Sequence, residues 1–285
     1  MKFVPMKKIL YMAQSKKIAY GAFEFWSLET ARAAIKAGSK LNIPVILQCG
    51  QTEIDMIGGF DEVVEVVKIA ARLSSVPIAL HLDHALTYEA CNKAILAGFS
   101  SVMIDASAKK FEENIELTRK VVERAHAEDV TVEAELGRLV GEEGDIIVKG
   151  PEAAQTDPKE AKIFVESTEV DCLAVSIGTQ HGQYNFEPNL NINRLKSISE
   201  IVKIPLVLHG GSCTPMNQVQ ESIKYGINKI NICTDIVLAM GKQYIDTQSS
   251  NNFKYTTANL FNPANEAAQK VIEEKMRAFA LIDKY

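Results

Sequence analysis

The chain has 285 residues, 47% of them apolar and 24% charged, with only 9 Pro and 16 Gly; this composition excludes a disordered, collagen-like or low-complexity protein and can fill a sizeable core. Lys and Arg number 31 against 36 Asp and Glu, giving a formal net charge of −5 with no basic cluster, so the attraction that nucleic acid or an anionic membrane requires is missing. Five cysteines without a Cys-x-x-Cys pair, and no apolar stretch near the ~18 residues a bilayer span needs, point to a cytoplasmic protein that is neither secreted nor membrane-embedded.

In chain order the pattern predicts a strand over 18–23, a helix over 28–41, a strand over 44–48, a helix over 62–73, a strand over 77–82 and a helix over 88–97. A strand over 101–104, a helix over 112–127 and a strand over 131–135 follow, then a glycine-containing stretch over 137–158 of the length used for lids and binding loops. A helix over 158–167 and strands over 172–176, 205–209 and 229–232 complete the alternation, with Gly38, Gly98 and Gly226 as expected helix C-caps. These eight strands are the number a closed (β/α)8 TIM barrel needs. An open doubly wound sheet gives the same alternation, but it gathers its chemistry at one switch point, whereas here polar groups end many strands. The segment 247–263 is rich in Asn, Ser and Thr, and the helix expected over 264–281 is extra to a bare barrel and a candidate for subunit contacts. The expectation is one barrel domain over 1–285 with an extra C-terminal helix.

Histidines end several predicted strands, in His81-Leu82-Asp83-His84, Gln180-His181-Gly182 and Leu208-His209-Gly210-Gly211. In a barrel the strand ends converge on one rim, so His84, His181 and His209 can meet, and three imidazoles with one open position describe a catalytic zinc site. A lone histidine is more commonly a hydrogen-bonded structural residue; their joint placement is what favours a ligand set. His81 lies inside its strand, where alternation sends it to a different side from His84, and is read as structural. His126 falls late in an amphipathic helix, where a solvated or dipole-facing role is expected.

Asp83, Asp105 and the pair Glu133-Ala134-Glu135, of which one member is expected to face inward, bring carboxylates to the same rim as ligands, orienters or proton carriers. Glu142-Glu143, flanked by Gly141 and Gly144, is either a solvated pair or a base carried on a lid. Gly210-Gly211-Ser212 and Asn231-Ile232-Cys233-Thr234 follow the last two strands, the recurrent phosphate site of barrels, although a Gly-Gly-Ser on its own is also an ordinary turn.

With these motifs assembled, the chain resembles the class II, zinc-dependent ketose-bisphosphate aldolases, which include fructose- and tagatose-bisphosphate aldolases. The resemblance runs over nearly the whole chain and is carried by His81-Leu82-Asp83-His84, Ser101-Val102-Met103-Ile104-Asp105, Val132-Glu133-Ala134-Glu135-Leu136-Gly137, Ile177-Gly178-Thr179-Gln180-His181-Gly182, Pro205-Leu206-Val207-Leu208-His209-Gly210-Gly211-Ser212 and Lys229-Ile230-Asn231-Ile232. It implies that His84, His181 and His209 bind the catalytic Zn²⁺, that Asp83 is the acid/base, and that Asp105 and Glu135 match a second site for a divalent or monovalent cation. It further implies that Glu143 moves the proton at the dihydroxyacetone-phosphate carbon, and that Gly182, Gly210, Gly211, Ser212, Asn231 and Thr234 surround that triose and its phosphate. The expected partner is a small phosphorylated sugar, and the expected assembly a homodimer or homotetramer. Lys229 would serve as a Schiff-base lysine only in a metal-free mechanism, which leaves three histidines without a purpose.

The sequence departs from the family where Ala22-Phe23-Glu24 replaces the common Ala-Phe-Asn, where Gly50 replaces a Ser, and where Thr256-Thr257-Ala258-Asn259 offers no Asp-Pro-Arg to grip a distal phosphate, only Lys254 lying nearby. Two alternatives to a bisphosphate aldolase follow: an aldolase for a ketose 1-phosphate with a non-phosphorylated distal end, and a non-catalytic metal-binding barrel subunit. The second would bind Zn²⁺ without exchanging the proton of dihydroxyacetone phosphate. A zinc hydrolase is disfavoured because Tyr20-Gly21-Ala22-Phe23-Glu24 lacks the His-x-His pair such barrels carry on the first strand.

Overall fold

The computed structural model describes residues 3–137, 155–180, 182, 188–250 and 256–282, and the backbone of 141–143 and 146–148. Five parallel strands come first: β1 Tyr20–Glu24, β2 Val45–Cys49, β3 Ile78–Ala85, β4 Ser101–Ile104 and β5 Thr131–Leu136. An antiparallel hairpin of β6 Gly141–Glu143 and β7 Ile146–Val148 follows, and β8 Cys172–Val175, β9 Leu206–Leu208 and β10 Ile227–Ile232 complete the set. Apart from the hairpin the strands form one closed barrel in the order β1-β10-β9-β8-β5-β4-β3-β2. Closure joins β1 to β10, with Tyr20 beside Lys229 and Phe23 beside Ile232.

Helices cover the outside of the barrel, so its strands are buried on both faces and need continuous apolar runs rather than strict alternation. Every residue of Val45-Ile46-Leu47-Gln48-Cys49 is buried. The helices Leu28–Leu41 and Tyr88–Ala97 keep their predicted bounds because their ends are chemically marked. Ser27 accepts the Thr30 amide in a capping box, Thr87 accepts that of Ala90, and Asp157 caps Pro158–Thr168 with Pro at the first turn.

Several boundaries differ from the sequence reading, each for a local reason. Gly38 is not a C-cap: it lies inside the helix Leu28–Leu41, which ends on Asn42 in the left-handed conformation at φ 55°. A Cβ at Gly38 would stand 2.3 Å from Val45 Cγ2 and 2.8 Å from the Ile43 carbonyl oxygen, so the residue lets helix and strand approach. Gly98 is a C-cap as expected, whereas the helix Met216–Lys224 is capped by Tyr225 with Gly226 just beyond. The helix expected over 62–73 is Phe60–Ala70 followed by one tighter turn.

Met6–Lys16 is a helix that the charges of the N-terminal sequence conceal; Lys8 and Lys16 lie on the outside and Lys7 is half-buried against Asp171, while Met6, Ile9, Leu10 and Ala13 are buried. The Val4 amide donates to the Ile78 carbonyl at 2.9 Å, docking this segment beside the start of β3. The stretch 137–158 contains the β6–β7 hairpin rather than only loop. The final helix expected over 264–281 begins earlier, at Thr257, capped by a Thr256–Asn259 box and continuing through Pro263 to Phe279, and the helix before it runs Thr234–Ser250. The final helix packs on both Thr234–Ser250 and Leu28–Leu41. Among the described residues no helix is long and apolar enough to cross a membrane.

Gly38→Ala should lower unfolding free energy by about 1–3 kcal/mol, the usual cost of overpacking a close helix–strand contact. A urea-denaturation midpoint equal to that of the wild-type protein would contradict this account of the helix–strand approach.

Candidate active site and metal centre

The barrel interior is polar at its centre. Glu133 on β5 is fully buried and meets two cationic or cationisable groups: Lys229 Nζ lies 3.0 Å from its Oε2 and His209 Nε2 lies 2.8 Å from its Oε1. Lys229 belongs to β10, separated from β5 by β9 and β8 in the barrel order, so the pair meets across the interior. The Lys229 ammonium also donates to Asn231 Oδ1 at 2.7 Å. That bond fixes the amide of Asn231 with its nitrogen toward Asp83, to which Nδ2 donates at 3.3 and 3.2 Å. From the other side Gln48 Nε2 donates to Asp83 Oδ2 at 2.8 Å. Asp83 is thus gripped by two amides, one from β2 and one from β10.

His81 shares the interior face of β3 with Asp83, as period two requires. Its Nδ1 bonds Ser101 Oγ at 2.8 Å, its Nε2 stands 3.6 Å from Glu133, and burial together with the Lys229 charge pushes its pKa well below the usual imidazole value. His84 would point outward by alternation, but β3 carries one extra residue between Leu82 and Ala85 relative to β4, and His84 adopts φ 42°. This bulge with a left-handed non-glycine residue re-aims the imidazole to the rim.

There His84 Nδ1 bonds Asp105 Oδ2 at 3.0 Å, and the two rings of His84 and His209 meet edge to face with centroids 4.6 Å apart. Burial would raise the Asp105 carboxyl, but the hydrogen bond and charge of His84 and the Ser107 contacts hold it far below the ordinary carboxylate range. His209 Nδ1 lies 3.4 Å from Glu135 Oε2. Ligand atoms of Asp83, His84 and His209 lie within 4.8 Å of one another, as do those of His84, Asp105 and Glu135. Neutral imidazoles backed by carboxylates are the donor set that suits a divalent cation, so the residues present fit a metal centre.

Of the sequence-nominated site residues, then, His84, His209, Asp83, Asp105 and Glu135 converge. His181, the Glu143 side chain and Lys254 lie outside the described residues. Glu133 and Glu135 both face inward, correcting the expectation that one would; two residues apart on a strand, they share a face. His126, at a helix end as expected, is engaged rather than solvated, its Nε2 standing 2.9 Å from Asp171 Oδ2. Sequence reasoning did not single out Gln48, whose role needs the β1–β2–β3 register that sets it between Glu24 and His81.

A cavity of about 540 Å³ opens over these groups. Gly182, Gly210, Ser212, Asn231 and Thr234 line it from the β8–β10 sector, and Glu24, Gly50, Gln51, Thr52 and Glu53 from the β1–β2 sector. Gly210 has φ 64°, and a Cβ there would lie 2.2 Å from the Gln180 carbonyl oxygen. Gly211 does not line the cavity; its amide donates to the Asn231 carbonyl at 3.2 Å behind the wall. Ser212 Oγ accepts the amides of Cys233 and Asp235 at 3.2 and 3.3 Å. Asp235 Oδ1 in turn accepts the Cys213 amide at 3.1 Å, and its Oδ2 pairs with Lys275 of the last helix at 2.5 Å.

In the β1–β2 sector, Glu24 Oε2 accepts from Gln48 at 3.0 Å and Oε1 accepts from the Gly50 amide at 3.1 Å. The same amide donates to Glu53 Oε2 at 3.1 Å. Burial, with the nearby charges of Asp83 and Glu53, raises the Glu24 carboxyl well above its ordinary pKa.

A closed barrel that gathers an acid, imidazoles and a glycine- and hydroxyl-rich cradle at the carboxyl ends of its strands is laid out as a barrel enzyme. Comparison with known proteins gives the family: the sequence pattern of fructose-bisphosphate aldolase class-II matches residues 4–284. The chain is 40% identical over 301 aligned positions to the fructose-bisphosphate aldolase of Helicobacter pylori strain J99, covering 97% of this chain and 98% of that one. It is also 40% identical to the fructose-bisphosphate aldolase of Geobacillus stearothermophilus, covering 98% and 97%. Among solved structures, the YdjI aldolase of Escherichia coli K12 superposes with a TM-score of 0.85 at 30% identity over 97% of both chains. The chain belongs to the class II fructose-bisphosphate aldolase family, and so to the aldehyde-lyases.

Lys229→Met would leave Glu133 buried without its strongest counter-charge, and removal of one partner of a buried pair costs about 3–5 kcal/mol. Chemical denaturation should show a loss of that size; a loss below about 1 kcal/mol, the worth of an exposed pair, would deny the ion pair its central role.

Proposed function

We propose that this enzyme reversibly cleaves a ketose phosphate, of the fructose- or tagatose-1,6-bisphosphate kind, to dihydroxyacetone phosphate and an aldehyde. The observation that supports the reading most is the convergence of Asp83, His84 and His209, with ligand atoms within 4.8 Å, beside the Ser212 and Thr234 cradle. His84 and His209, with His181 as the third ligand implied by the resemblance, would hold Zn²⁺, and Asp105 and Glu135 would offer a second cation position. When bound, the ion supplies Lewis-acid polarisation of the ketose carbonyl.

The chain's own residues do the rest. Asp83, kept as an acceptor by the amides of Gln48 and Asn231, takes the proton of the hydroxyl on the carbon that becomes the aldehyde. As that C–O bond becomes C=O, the adjacent C–C bond breaks and its electron pair passes to the carbon next to the ketone. Glu143 then delivers a proton to that carbon, forming dihydroxyacetone phosphate. Gly182, Gly210, Ser212 and Thr234 would hold the triose phosphate through backbone amides and hydroxyls, with Gly211 shaping the turn. Lys229 is no Schiff-base candidate in this scheme, since its amine is committed to Glu133 and Asn231. The chain would act as one domain over 1–285, as a homodimer or homotetramer in a reducing cytoplasm, a setting supported by free cysteines at Cys49, Cys91, Cys172, Cys213 and Cys233.

Exhaustive chelation should abolish cleavage, and added Zn²⁺ should restore it. Full activity in protein shown by metal analysis to be stripped would reject the metal centre.

Asp83→Ala should lower cleavage at least about 100-fold, the lower end of general acid–base contributions, with the metal content unchanged. Glu143→Ala should instead slow proton exchange on dihydroxyacetone phosphate by a comparable factor. Wild-type exchange in Glu143→Ala would remove the lid base from the mechanism.

A further inference from the structure

The two ends of the cavity differ in hydrogen-bonding character. Toward β9 and β10 stand the glycine turn and the Ser212 and Thr234 hydroxyls, the position where barrels hold phosphate. Asp83 lies between the two sectors, tied to Asn231 on one side and Gln48 on the other. Whatever part of a ligand extends past the reacting carbons therefore meets Glu24, Gly50 and Glu53.

Two carboxyl groups, Glu24 and Glu53, stand at this end. The Gly50 amide, the donor that would greet an anion at the loop after β2, already donates to Glu24 and to Glu53. Gln48 Nε2 is likewise committed, to Glu24 and Asp83, while Gln48 Oε1 is buried with no hydrogen-bond partner among the described residues. Among the described lining residues there is no lysine or arginine. A phosphate brings only acceptors and negative charge at neutral pH, so among the described side chains at this end it would face two carboxyl groups, with the Thr52 hydroxyl, and a Gln51 amide already donating to Asp55, as donors. A sugar hydroxyl brings a donor and is accepted by either carboxyl group in any protonation state.

We propose that Glu24, with Glu53, is a specificity-determining residue that selects a neutral, hydroxylated distal end and disfavours a second phosphate there. The inference rests on the aldol reading above and, for the distal end, puts a ketose 1-phosphate whose aldehyde half is an uncharged polyol in place of the bisphosphate.

The test is kcat/KM of the metal-loaded full-length enzyme for fructose 1-phosphate and for fructose 1,6-bisphosphate at equal ionic strength, with proton exchange on dihydroxyacetone phosphate measured alongside. The wild-type enzyme should favour the monophosphate. Glu24→Ala, which removes one of the two carboxyl groups that share the Gly50 amide, should shift the ratio toward the bisphosphate by about tenfold or more, the worth of one charge-assisted contact. Glu53→Gln should shift it in the same direction and decides the matter if Glu24→Ala does not fold. A wild-type preference for the bisphosphate above about tenfold, or an unchanged ratio in the folded variants, would overturn the proposal. Absence of proton exchange in the wild-type enzyme would instead overturn the aldol reading itself.

Discussion

An ionised carboxylate at the centre of a closed barrel is costly unless positive groups meet it, and Glu133 sets this condition for everything above it. Lys229 answers it with its charge at 3.0 Å and His209 adds an imidazole nitrogen at 2.8 Å, and each is thereby fixed in place. Because the Lys229 ammonium binds the oxygen of the Asn231 side chain, the nitrogen of that amide has one remaining direction, toward Asp83. Because His209 is tied through Nε2, its ring stands against His84. Asp83 and the imidazoles at the rim are thus positioned from below by one neutralised buried charge, an arrangement that makes their geometry a property of the barrel rather than of its loops.

The rim adds a second constraint. Asp83 and His84 are adjacent in sequence and would face opposite ways on a regular strand, yet a common site needs both. One inserted residue in β3 and a left-handed backbone at His84 resolve the conflict. The cost of such a conformation, of order 1–3 kcal/mol, is offset by the Asp105 contact that holds the imidazole.

Most of the barrel was legible in the sequence because parallel strands buried on both faces read as dense apolar runs, and because Ser27, Thr87 and Asp157 mark helix starts by side-chain chemistry. The strand-end histidines and carboxylates were legible for the same reason, since a barrel brings its carboxyl rim together. What escaped depends on packing between distant segments. Gly38 reads as a helix stop but serves a close approach to Val45. The Met6–Lys16 helix hides behind its charges, with Lys8 and Lys16 facing outward. Pro263 suggests a break, yet the helix from Thr257 tolerates it once the Thr256 cap has started the first turn. Gln48 looks like an ordinary polar residue until strand register places it against Asp83, and Glu133, already a candidate carboxylate, has its partner Lys229 only through the barrel.

The pairing of Lys275 with Asp235 ties the last helix to the turn after β9. Asp235 bonds the Cys213 amide and donates its own to Ser212, so the turn that would cradle an anion is braced by a residue far down the chain, on an element outside the eight repeating units. Shortening that helix, or loosening it with a fused partner, would be felt as weakened ligand capture in an otherwise intact barrel. The helix acts as a buttress for that turn, and on the proposed reading engineering of this scaffold has to preserve it.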